Sequence, residues 1–305
     1  APGKIILFGE HAVVYGYPAI AIPVNKVKAT AVIQARPGQE GIQIIAPDIS
    51  LNDSLKDLPL NDAIAKAIHL TMEEVGVETP PAFGIKISST IPLASGMGSG
   101  AAVSVVVVRA VSEFLGHPLP DGTVSKIAFE IEKIHHGTPS GIDNTVITYN
   151  QPVYFVKDQP IKIFNLKSPL TIVIGDTGSP SSTAVAVGNV RKGYEENPGK
   201  YEALFNGCAQ IVKGALFAID DFRTPVLGPL MNDNHKLLVE MGVSSPQLDQ
   251  LVSAAQEAGA LGAKMSGGGR GGNMIALVPP ERAYKIAAAL LKAGASKTII
   301  TEVRP

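Results

Sequence analysis

Cysteine is nearly absent from this chain of 305 residues: Cys208 stands alone. No intrachain disulfide can form, a thiolate zinc site lacks its usual partners, and a reducing, cytoplasmic setting is expected. Charge of one sign is lacking too, with 26 Lys and Arg against 27 Asp and Glu and no basic run. Without a surplus of cations to neutralise a phosphate backbone, a nucleic-acid partner is not expected. Long apolar runs are missing as well. The stretch 101–108 falls far short of the ~20 residues that cross a bilayer, so no membrane partner is expected. The chain starts at Ala1 rather than Met, and its first apolar run stops at Gly9-Glu10-His11, too soon for a signal-peptide core. A few trimmed N-terminal residues are the expectation.

What is present is an ordinary core-forming composition, 45% apolar and 17% charged, so the whole chain is expected to fold. At ~100–200 residues per domain the length suggests two units. A change of pattern after Tyr149 puts the boundary near 150–168; we take 1–158 and 159–305.

Strands are expected at 4–8, 19–24 and 27–34, rich in Ile and Val and separated by Gly, Pro and Asn, as an antiparallel start. A helix is expected over 61–75, with Asn61 or Asp62 as N-cap and Gly76 beyond its end. Phe83, Ile85 and Ile87 alternate as a half-buried strand does. After a glycine loop, the β-branched run from Val103 nevertheless reads as helix, with Val103, Val106, Val107, Ala110, Val111 and Phe114 on one stripe. The helix 123–136 shows a core face of Val124, Ile127, Ala128, Ile131 and Ile134. In the second half, a strand at 170–175 precedes helices around 183–194, 200–219 and 227–241. Ser245-Pro246 then starts a helix to 258, followed by a glycine hairpin between strands 263–266 and 274–278, a helix at 281–293 and a strand at 297–303. That order resembles an elaborated ferredoxin-like sandwich, and both halves read as α+β.

Chemistry is sought in the glycine clusters. Gly96, Gly98 and Gly100 lie between a strand and an uncharged helix start, where backbone N–H groups and the helix dipole favour phosphate. One or two glycines could serve a tight turn, but three spaced by small or flexible residues point to an anion cradle. The run Gly267-Gly268-Gly269-Arg270-Gly271-Gly272 formally matches a dinucleotide fingerprint, yet a strand follows it instead of a helix. It is either a hairpin laid against a ligand or a plain glycine turn. Neither loop continues into Lys-Ser/Thr, and no protein-kinase motif occurs. His135 and His136 point to different sides of a helix and do not make a zinc site. Asp143 follows a Pro-Ser-Gly loop amid apolar residues, and Lys4 opens the first strand. A carboxylate base and an ammonium group are the minimum set for phosphoryl transfer, though spacing alone leaves both with ordinary structural readings.

Three ordered segments carry a resemblance. Lys4 through Gly9-Glu10-His11-Ala12-Val13-Val14-Tyr15-Gly16, Pro92 through Ala102, and Lys264-Met265-Ser266-Gly267-Gly268-Gly269 are similar to the three motifs of the GHMP kinases, over nearly the whole chain. Together with His136-Gly137-Thr138-Pro139-Ser140-Gly141-Ile142-Asp143-Asn144, the first segment resembles the mevalonate kinase branch of that family. The resemblance implies a ribosomal-protein-S5-like N-terminal domain, a ferredoxin-like C-terminal domain, and ATP-dependent phosphorylation of the primary hydroxyl of mevalonate with Mg²⁺. It implies Asp143 as base and Lys4 as the cation beside it, Glu132 as the Mg²⁺ ligand, and Glu10, His11, Thr183, Gly267 and Gly268 as substrate contacts. The nucleotide loop would be Pro92, Ala94, Ser95, Gly96, Met97, Gly98, Ser99, Gly100 and Ala101. ATP and mevalonate are the implied partners, and a homodimer is left open. The alternatives are another small-molecule kinase of the family, acting on phosphomevalonate or a sugar, or a galactokinase-like sensor without turnover. Two positions depart from the family pattern: Gly100 replaces the second serine of the nucleotide loop, and Arg270 interrupts the third glycine run, where it could reach a phosphate.

Overall fold

The computed structural model describes residues 1–92, 95–136 (backbone only at 135 and 136), 139–160, 162–180, 183–221 and 223–305. Ala94 of the expected nucleotide loop and Gly137-Thr138 of the Asp143 segment lie outside the described residues, as do Ser181 and Ser182 beside Thr183. In chain order the elements begin with β1 (Pro2–Phe8), β2 (Ala19–Ala35), β3 (Ile42–Ala46), β4 (Leu51–Ser54), α1 (Ala63–Glu74), β5 (Phe83–Ser89), α2 (Ser99–Phe114), α3 (Asp121–His136) and α4 (Ile142–Tyr149). They continue with β6 (Val153–Phe155), β7 (Lys162–Ile163), β8 (Leu170–Asp176), α5 (Thr183–Glu196), α6 (Pro198–Asp220), α7 (Leu227–Glu240), α8 (Pro246–Glu257), β9 (Gly262–Ser266), β10 (Asn273–Leu277), α9 (Ala283–Lys292) and β11 (Lys297–Val303). The class is α+β. No helix among the described residues is long and apolar enough to cross a membrane.

The chain divides into two compact units, one of Ala1–Gly3, Val27–Pro92 and Gly98–Asn150, the other of Lys4–Lys26, Leu93–Met97 and Gln151–Pro305. The division is not a single cut in sequence, because the second unit takes up the first motif and part of the nucleotide loop.

In the first unit β3 pairs β5 in parallel and β4 and β2 antiparallel strands flank that pair, β2 through Ala29–Ala35. The parallel pair joins β3 to a strand that comes later in the chain, whereas β3 and β4, neighbours in sequence, pair antiparallel. The expected break between strands 19–24 and 27–34 is absent: β2 runs unbroken for 17 residues. It pairs β6 through Ala19–Ala21 and β5 through Ala29–Ala35, and β1 also pairs with it. Helix α1 starts where its sequence signals it, with Asp62 Oδ1 accepting from the N–H groups of Ile64 and Ala65 at 2.9 Å each. Helix α2 is helical as its period requires, and Val107 and Val111 of the expected stripe are buried; Ala101, Ala102, Ser104, Val105, Val108 and Ser112 are buried too, while Val103 and Val106 are only half-buried. Nearly every position is small or branched apolar, so the period fixed the helix without fixing its rotation. On α3, Val124, Ile127, Ala128 and Ile131 are buried as expected, whereas Ile134 is exposed.

In the second unit a four-stranded antiparallel sheet has the order β11-β8-β10-β9. With α5 to α8 filling the first crossover and α9 the second, this is the ferredoxin-like topology with an enlarged first crossover. Ser245 caps α8 through Leu248 N–H at 3.3 Å, and Pro246 occupies its first turn. Phe205 of α6 is fully buried and stacks on Tyr15 at 4.5 Å between centroids, with Tyr17, Tyr194 and Tyr201 also within 6.0 Å.

Candidate active site

In the first unit the glycine loop ends on α2. Gly98 is the N-cap in the left-handed region at φ 74°, a conformation that suits glycine, and no side chain caps the helix. No acidic residue lies in its first turn, so the free N–H groups of Ser99, Gly100 and Ala101 form an unopposed positive helix end. Asp143 sits, half-buried, in the first turn of α4. This short helix was not expected from the sequence; Gly141 at φ 88° starts it, and Thr145 Oγ1 donates to Gly141 O at 2.7 Å. Asn144, next to Asp143, is buried and donates through Nδ2 to Ser125 O and Oγ on α3, at 3.1 and 2.9 Å. Glu132, 5% exposed, stands two turns further along α3 and therefore on the same face as Ser125. The Asn144 anchor thus fixes the start of α4 on the helix face that carries the second carboxylate.

In the second unit the first and third motifs are tied together. Lys4, 3% exposed, lies on β1, and its backbone N–H donates to Met97 O at 3.0 Å. Ser95 O accepts from Asn273 Nδ2 at 2.6 Å, which fastens this part of the nucleotide loop to β10. Ser266, ending β9, both accepts from Ile6 N–H at 3.2 Å and donates to Ile6 O at 2.9 Å. His11 donates from Nε2 to Gly268 O at 3.0 Å, which leaves its buried Nδ1 without a protein partner. Burial holds the His11 ring neutral, with its pKa lowered to about 4.

Glu10, implied as a substrate contact, is buried, and its Oε2 has no hydrogen-bond partner among the described residues. Its carboxylate is wholly buried and forms an ion pair with the equally buried Nζ of Lys264, which also donates to Met265 O at 2.7 Å. Desolvation raises the Glu10 pKa and lowers that of Lys264, each opposed by its partner's charge. Around the pair, Asn234 Nδ2 donates to Cys208 Sγ at 3.5 Å, and burial pushes the Cys208 thiol up to about 12. His235 accepts from Met265 N–H at 3.3 Å and faces Asp249 at 3.2 Å. Lys264 was visible in the third motif but had no signal of burial beyond its place between Ala263 and Met265. Ser125, Asn144, Ser266 and Asn273 were missed because their partners lie far away in sequence.

Thr183 is the first residue of α5, half-buried. Gly267 and Gly268 form the turn after β9 as a hairpin into β10, as expected. Arg270 is exposed and lies at φ 59°; its Nη2 donates to Gly242 O at 3.4 Å, past the C-terminus of α7, a partner other than a ligand phosphate. Among the described residues no three His, Cys, Asp or Glu side chains gather as a metal site. A hard oxygen donor such as Glu132 still suits Mg²⁺, which commonly takes one or two carboxylates and completes its shell with phosphate oxygens and water.

Comparison with known proteins shows the family. The GHMP kinases N terminal domain matches residues 62–151, and the GHMP kinases C terminal domain matches residues 218–296. A mevalonate kinase of Thermococcus sibiricus is 38% identical, over 99% of this chain and 95% of its own length. One from Methanocaldococcus jannaschii is 33% identical, over 92% of this chain and 91% of its own. The crystal structure of L. major mevalonate kinase in complex with R-mevalonate superposes with a TM-score of 0.86 at 31% identity, covering 100% of this chain and 94% of that one.

Proposed function

The chain belongs to the GHMP kinases and, within them, to the mevalonate kinases; from that premise we propose that it transfers the γ-phosphoryl group of ATP to the primary hydroxyl of mevalonate, releasing ADP. The observation that carries this reading is the 38% identity to a mevalonate kinase over 99% of the chain. The alternatives, a phosphomevalonate or sugar kinase and a sensor without turnover, have no comparable support. Residues 1–158 and 159–305 are read as the two family domains, in keeping with matches at 62–151 and 218–296.

Asp143 accepts the hydroxyl proton as oxygen attacks phosphorus, and the Lys4 ammonium offsets the charge that develops on that oxygen. The uncapped start of α2, with Gly96, Met97, Gly98, Ser99, Gly100 and Ala101, presents N–H groups and a positive helix end to the phosphates. Pro92 and Ser95 complete this loop. Glu132 would hold Mg²⁺, and the bound ion would draw charge from the phosphate oxygens. The neutral His11 offers Nδ1 as an acceptor for a substrate hydroxyl, and Thr183, Gly267 and Gly268 flank the acceptor. Glu10, buried and paired through Oε1 with Lys264, supports the turn that carries His11.

ADP release should be followed with mevalonate, phosphomevalonate, galactose and homoserine as acceptors, with ATP and Mg²⁺. Mevalonate should be the substrate; faster turnover of another acceptor, or none at all, overturns the reading. Asp143→Asn and Lys4→Met should each lower kcat by about 10²–10⁴-fold while ATP still binds. Retention of more than about a tenth of the rate by Asp143→Asn removes it as the base.

A further inference from the structure

Lys264 is the largest polar side chain buried without any exposure, and the reaction as described makes no use of it. It sits on β9, a strand buried at all five positions, three residues before the glycine turn begins at Gly267. An ammonium group is costly to bury and is tolerated only when paired. Its partner, Glu10, lies in a turn with unusual backbone on both sides. Gly9 is at φ 94°, and a Cβ there would collide with Pro18 O and stand 2.7 Å from Ala19 Cα; His11 is at φ 58°, uncommon for a residue with a side chain. Backbone in that region persists only where its surroundings hold it.

Side-chain connections join the first motif to the third within the second unit. Ile6 pairs with Ser266 through the serine hydroxyl, Glu10 with Lys264, and His11 with Gly268 O. On the third motif they fall at alternate residues, 264, 266 and 268. The Glu10–Lys264 connection, at the start of that run, is the charged one of these. Removing either partner leaves an unpaired buried group beside the turn that carries His11.

We propose that Glu10 and Lys264 are positioning residues, whose buried ion pair clasps the turn at His11 to the strand that launches the glycine turn and so holds His11, Gly267 and Gly268 in one arrangement for phosphoryl transfer. The link to phosphoryl transfer rests on the kinase reading above; the clasp itself does not. The consequence is specific. Glu10 and Lys264 act as one unit, and their loss is felt first at the turn and in the rate, with nucleotide affinity spared.

The test uses the full chain as wild type, Glu10→Gln, Lys264→Met and the double variant, with circular dichroism to establish folding. Amide hydrogen exchange in the ligand-free proteins should accelerate by about tenfold or more at residues 265–269 in either single variant, while the rest of the second unit keeps its protection. The double variant should be no worse than the worse single, as expected of two residues in one interaction. With mevalonate and ATP, kcat should fall by about 10²-fold, the scale of a ~1 Å misplacement, and the KM for ATP should stay within about threefold. If Lys264→Met does not fold, Glu10→Gln, which keeps the side-chain volume, decides by the same exchange measurement. Unchanged exchange at 265–269, or acceleration spread evenly over the unit, overturns the proposal. So does a Glu10→Gln enzyme with a raised KM for the acceptor alone beside a Lys264→Met enzyme of wild-type kinetics, because Glu10 would then touch substrate itself. A wild-type chain without turnover on mevalonate counts against the functional reading only, and the exchange data still decide the clasp.

Discussion

Acidification should destabilise this protein through His11 in a window that the structure defines. The ring is buried, donates from Nε2 to Gly268 O, and has its pKa lowered from 6.5 to about 4. Below pH 6.5 the unfolded chain takes up a proton that folded His11 refuses, so stability falls as pH falls, and the loss is complete once pH drops below about 4. At ~1.4 kcal/mol per tenfold, the full loss is about 3 kcal/mol, a sizeable fraction of the ~5–15 kcal/mol that stabilises a typical domain. The assay is urea unfolding at pH steps from 7.5 to about 4 for wild type and His11→Gln, whose amide nitrogen reaches about as far as Nε2 and does not titrate. Carboxylates and the other histidines titrate in both proteins and cancel in the difference. Wild type should lead at neutral pH, and its lead should shrink by about 3 kcal/mol across the window, half of it gone near pH 5. Parallel stability curves would refute the assignment of a neutral, desolvated ring.

Three further outcomes are expected. Glu132→Gln should raise the Mg²⁺ concentration that supports half-maximal turnover, whereas Gly100→Ser should leave turnover little changed or lower that concentration; a Mg²⁺ titration at fixed ATP reads both, and an unchanged curve for Glu132→Gln places the metal elsewhere. Asp62→Ala removes the acceptor of two N–H groups at the start of α1 and should cost about 1 kcal/mol by chemical denaturation, with kcat unaltered. Phe205→Ala, which empties the centre of a ring of four tyrosines, should cost about 3–5 kcal/mol and lower the melting temperature accordingly.

Local signals in the sequence were readable wherever the physics is local. Asp62 and Ser245 mark helix starts because a short acceptor before an apolar period has few other uses, and the glycine run 267–272 reads as a hairpin because strands flank it. Rotation and burial depend on the rest of the chain and were less legible. The valines of α2 supply apolar surface on almost every side, so only packing selects Val105 and Val108 over Val103 and Val106. Asn25 and Lys26 looked like a break, yet β2 continues through them and has β1 as a further partner strand. Glu10 was legible as a motif residue, but its ion pair was not. Its partner, Lys264, is 254 residues away, a separation that no spacing rule spans.

Cys208 has a practical consequence. It is the single thiol of the chain, fully buried, with a pKa near 12. At neutral pH the reactive thiolate is then on the order of 10⁻⁵ of the population, and maleimides and iodoacetamides meet almost no nucleophile. A cysteine placed at an exposed position such as Tyr284, which is 82% accessible on α9, should therefore react alone. The native thiol need not be removed first, and the chain can carry a single fluorophore or spin label with its core intact.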